Sequence, residues 1–69
     1  MKNERHLVGD IASVRAKLIE TEMRIDVALN EANYLGLKSV EADLSRIRRD
    51  LKDAIRDTTT HLEMLEESK

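Results

Sequence analysis

Residues 32–40 read Ala32-Asn33-Tyr34-Leu35-Gly36-Leu37-Lys38-Ser39-Val40. Whether a helix stops inside this stretch decides the fold. Gly36 adopts the left-handed conformation that ends helices at little cost, because it has no Cβ. With Gly36 as the residue after the cap, Leu37 follows it and Ala32 stands at the third position from the helix end. That pair touches in a Schellman motif. Ser39 is then the expected N-cap of a second helix, and Glu41 falls in its first turn, where the macrodipole favours a carboxylate. A continuous helix would instead hold Gly36 in its interior at about 1 kcal/mol. The stretch therefore predicts a turn.

Apolar residues recur at helical spacing on both sides of that turn. Before it, Leu7, Ile11, Val14, Leu18, Ile25, Ala28 and Ala32 follow alternating steps of four and three, with Thr21 filling one position. After it, Leu37, Val40, Leu44, Ile47, Leu51 and Ala54 do the same. This is a heptad pattern. Ile11, Leu18, Ile25 and Ala32 take position a. Leu7, Val14, Thr21, Ala28 and Leu35 take position d. In the second half Leu37, Leu44 and Leu51 are a, and Val40, Ile47 and Ala54 are d. Beyond Leu51 the apolar residues continue at Ile55, Thr58, Leu62 and Leu65, which reads as a four-residue stutter that locally unwinds a supercoil.

The expected architecture is all-α. One domain over residues 1–69 forms an antiparallel two-helix hairpin, with helices over about 4–35 and 39–66 and a turn at 36–38. Asn3 is the expected first cap. Folding at Gly36 matches a with d positions, and sets Arg24 near Asp50, Lys17 near Asp57 and Glu22 near Arg48. Glu31 near Asp43 is the one mismatch. Such exposed pairs select a register more than they stabilise it.

The chain has 69 residues, 41% of them hydrophobic and 38% charged, with no Cys, Pro, Trp or Phe. A single core this small rarely supplies more than about 3–5 kcal/mol. Without cysteine there are no disulfides and no thiolate zinc site. Association is the remaining source of stability. The first helix carries a second apolar stripe, Val8, Ala12, Ala16, Ile19, Met23 and Val27. Its apolar arc is far wider than the ~100° of an ordinary surface helix, so it is the expected oligomer interface, central to a four-helix bundle. A homodimer is the leading expectation. A larger homo-oligomer, a different protein partner and a twisted monomer are the alternatives.

Twelve basic and fourteen acidic residues give a net charge of −2, which provides no overall attraction to nucleic acid or anionic membrane. No apolar run approaches the roughly 20 residues of a membrane span. The first residues lack the apolar segment of a signal peptide. A cytoplasmic protein is expected.

The polar constellations are weak. Arg48, Lys52 and Arg56 form a basic stripe with Arg49 beside them, able to follow a phosphate backbone. Asp43, Asp50, Asp53 and Asp57 share that helix, and no aromatic is interleaved to stack on bases. His6 with Asp10, and His61 with Asp57, share helix faces, but the Glu-x-x-His motif of bundle metal sites is absent. Neither Gly9 nor Gly36 belongs to a phosphate-cradling loop. Ser13, Ser39, Ser45 and Ser68 have no histidine at a suitable spacing. No catalytic residue, metal or cofactor is expected. The run Thr58-Thr59-Thr60 and the acids Glu63, Glu66 and Glu67 predict fraying of the last turns. Tyr34 is expected to pack over the end of the core.

The functional expectation is a small non-enzymatic interaction module, a regulator, adaptor or inhibitor acting by binding. Arg48, Arg49, Lys52, Arg56 and Tyr34 form its outward target face. The rival is a nucleic-acid-binding hairpin dimer using the same basic stripe.

Overall fold

The structure is a computed structural model that describes the backbone of residues 4–67 and the side chains of residues 7–67. The expectations for Asn3 and for the His6 side chain lie outside those residues. Two helices make up the fold, α1 (Glu4–Leu35) and α2 (Lys38–Glu67). They pack antiparallel into a rod with principal extents of 50 × 16 × 14 Å. The expected hairpin is present.

The turn is the Schellman motif read from the sequence. Gly36 has φ +73°. The Leu37 amide donates to the Ala32 carbonyl at 2.9 Å, and the Gly36 amide to the Asn33 carbonyl at 3.1 Å. The last orphan carbonyls of α1 are thus satisfied by the chain that leaves it. The expected capping role of Ser39 is not realised. The Glu41 amide donates to the Leu37 carbonyl at 2.9 Å, which makes Leu37 the N-cap of α2. Leu37 therefore closes one helix and opens the next, and Ser39 is already inside α2. Tyr34 does not cover the core end. It is 90% exposed, and the Ala32–Leu37 closure takes the place expected of it.

Both helices are rotated from the expected a/d seam. In α1 the half-buried residues include Val8, Ile11, Arg15, Leu18, Glu22, Ile25 and Leu29, ending at buried Ala32. In α2 they include Glu41, Leu44, Arg48, Leu51, Ile55, Thr58, Leu62 and Leu65. These are positions a and e. The d residues Leu7, Val14, Leu35, Val40 and Ile47 are between 40% and 64% exposed. The facing positions of α2 keep steps of three and four from Glu41 to Leu65, so no stutter interrupts the seam. The apolar residues change from d to e after Leu51, while the packing stays on a and e with Ala54 as a half-buried d residue beside them.

α2 remains helical through Thr58-Thr59-Thr60 to Glu67, where fraying was expected. Each threonine hydroxyl donates to a carbonyl one turn back: Thr58 to Ile55 at 2.7 Å, Thr59 to Ile55 at 3.2 Å and Thr60 to Arg56 at 3.1 Å. Back-bonding of this kind occupies hydroxyls that would otherwise compete with the helix.

Candidate interaction surface

The a/e packing gives the hairpin two unlike flanks. Viewed down a helix from its N-terminus, e and b follow a in one sense of rotation, and d and g lie in the other. Because the helices are antiparallel, the d residues of both emerge on the same flank. The b residues of both emerge on the opposite one.

Polar contacts latch the b/e flank across the helices. Arg15 Nε donates to Thr59 Oγ1 at 3.0 Å. Arg48 Nε lies 2.9 Å from Asp26 Oδ1, and Lys52 Nζ lies 3.0 Å from Glu22 Oε2. The latter two are charge contacts rather than aligned hydrogen bonds, since Arg48 Nε and Glu22 Oε2 lack a partner in good angular geometry. Their residues are partly solvated, so they orient the helices more than they stabilise them.

The expected pairs Arg24–Asp50 and Lys17–Asp57 do not form within the hairpin. Both belong to g positions, and rotation of the seam sends the two g rows to opposite outer edges. Arg24 contacts Glu20 on its own helix at 3.0 Å instead. Glu22 meets Lys52 in place of Arg48, which lies one turn away.

The d flank has no comparable covering. Val14 and Ile47 are 50% and 44% exposed. Ile11, Val14, Thr58 and His61, with Asp10 at the edge, line a shallow open groove of about 350 Å³ between the helices. Along α1 the d positions continue through Thr21 and Ala28 to Leu35, and α2 adds Ile47 and Val40 on its way to the turn. An open apolar face of this kind is a candidate association surface.

The stripe expected to carry oligomerisation is divided by the structure. Val8 and Ile19 are half-buried. Ala12, Ala16, Met23 and Val27 are exposed on the latched and outer sides of α1, Met23 to 63%. A partner docking there would have to cover the neighbouring ion pairs of Glu22 and Asp26. The d residues of α2 were missed as a surface because they complete the heptad pattern equally well. The usable signal was the charge at e: Arg15 and Glu22 on α1, with Glu41 and Arg48 on α2, suit the polar edge of a seam.

The basic stripe is largely engaged. Arg48 contacts Asp26, Lys52 contacts Glu22, and Arg56 contacts Asp53 on its own helix. Arg49 is the member without an ion pair among the described residues. His61 faces the open groove with Asp10. No group of three or more histidine or acidic residues among the described ones is arranged to hold a metal ion. No helix among them is long and apolar enough to cross a membrane. Comparison with protein-family models, with curated proteins and with solved structures finds no match for this chain.

Proposed function

We propose that the protein is a non-enzymatic interaction module whose working form is a self-associated hairpin. Two copies close their d flanks into a four-helix bundle, which then presents its outer surface to a protein target. One observation carries the reading: among the described residues Ala32, 4% exposed, is the only buried one. The chain exposes 5570 Å², whereas a compact monomer of 7.9 kDa exposes about 4,400 Å². The surplus of roughly 1,200 Å² is ample for one side of a standard interface, which covers about 800 Å² per partner. A face the length and width of this rod, 50 by 16 Å, matches that footprint.

Closing the d flank leaves Tyr34 and the charged outer positions in water, where a target can reach them. The test is the concentration dependence of thermal unfolding. If folding is coupled to pairing, the midpoint rises with chain concentration. A midpoint independent of concentration over two decades, with a cooperative transition, refutes the reading.

A further inference from the structure

On the reading that the open flank takes a second copy, we infer that the two hairpins pair in one orientation, with their turns at the same end. α1 of each copy then lies beside α2 of the other. Two two-fold axes are available in the contact plane. One runs parallel to the helices and keeps every residue at its own height. The other runs across them and turns one hairpin end over end.

Charges at the g positions, just outside the apolar d residues, separate the two. The cross-helix contacts Arg15–Thr59, Glu22–Lys52 and Asp26–Arg48 set the heights. On that scale Lys17 lies level with Asp57, Arg24 with Asp50 and Glu31 with Asp43. The parallel axis brings the g row of α1 against the g row of the other copy's α2. Lys17 then meets Asp57 and Arg24 meets Asp50, each twice by symmetry. Glu31 against Asp43 is the only like-charge pair. Arg24 gives up little to reach Asp50, because its contact with Glu20 is largely solvated.

The transverse axis lays α2 on α2 and α1 on α1. With that axis level with Arg24 and Asp50, the row Asp43, Asp50, Asp57 faces a second copy of itself and Arg24 meets Arg24, leaving Lys17 opposite Glu31 as the one complementary pairing. Complementary charges outside an apolar contact select orientation even where they add little affinity. The charge agreement that failed within the hairpin is therefore made between copies.

The chain contains no cysteine, so one label site can be introduced at exposed Tyr34, next to the turn. The experiment is sedimentation of spin-labelled Tyr34→Cys, followed by the label-to-label distance from pulsed electron resonance. Turns at one end give a dimer with labels about 20–30 Å apart, two to three helix diameters. A dimer with labels near the full 50 Å length of the rod overturns the orientation and leaves self-association standing. A monomer overturns both. Independently, Asp50→Arg should weaken pairing about tenfold at low salt, and adding Arg24→Asp should restore it. Failure of the double variant to recover, with helicity intact, also contradicts the orientation.

Discussion

Replacing Ile47 by glutamate separates a paired hairpin from a solitary one. In the isolated hairpin Ile47 is 44% exposed. Glutamate there adds a good helix former but gives up the part of the side chain already covered, so the effect on a monomer is about 1 kcal/mol. In the bundle the same position is covered. Complete burial of an isoleucine side chain gives about 1.5–3 kcal/mol. Covering the part still exposed gives roughly 1 kcal/mol per copy and about 2 for the symmetric pair. A carboxylate placed there must remain charged in an apolar site or take up a proton. Protonation at pH 7 costs up to about 4 kcal/mol per copy. The combined loss lies between about 2 and 10 kcal/mol, a loss of more than about one decade in the dissociation constant even at its lower end. Sedimentation equilibrium and thermal melting on matched samples measure it. Met23→Glu, on the outer stripe of α1 and 63% exposed, is the control and should leave pairing unchanged. An Ile47→Glu protein that remains dimeric with an unchanged midpoint would refute the reasoning, as would dissociation caused by Met23→Glu.

Four further outcomes follow from local geometry. Gly36→Ala should destabilise by about 1–2 kcal/mol, because φ +73° strains any L-residue although nothing lies within 4 Å of an added Cβ. Gly9→Ala, inside α1 with equally open surroundings, should stabilise by about 0.5–1 kcal/mol, and chemical denaturation reads both changes. Ser39→Ala should change stability by less than about 0.5 kcal/mol, since Leu37 and not Ser39 is the N-cap; a loss of 1 kcal/mol or more would restore the capping role to Ser39. A mobility shift with generic RNA or DNA at low salt should be absent, because Arg48, Lys52 and Arg56 already face carboxylates; a shift abolished by Arg48→Glu with Lys52→Glu would favour a nucleic-acid interface.

Much of the hairpin was legible because its signals are local. Gly36 at the left-handed position, the partnership of Ala32 with Leu37, and the two apolar repeats each follow from a few neighbouring residues. The rotation of the seam was not legible in the same way. Position a takes part in both readings, so the choice lies between d and e as its companion. Apolar content favours d along most of α1 and the first half of α2. The structure places e inside and latches it with Arg15, Glu22 and Arg48. A residue-by-residue preference for burying apolar groups misreads such a chain, because a helix that must satisfy two neighbours carries apolar residues on both sides of a. The charge pairs were misplaced for the same reason. Lys17 and Arg24 do match Asp57 and Asp50 in height and sign, but the g rows diverge inside one hairpin. The cap of α2 was misplaced at Ser39 because the turn is as short as the Schellman geometry allows, leaving only Gly36 between the two helices' caps.

The most direct test of the account is the mass of the unmodified chain at micromolar concentration by sedimentation equilibrium. A hairpin that needs a second copy to cover its d flank should sediment at about 16 kDa, twice its 7.9 kDa, as expected for a closed two-fold pair. A species of 7.9 kDa that still melts cooperatively would contradict the central claim.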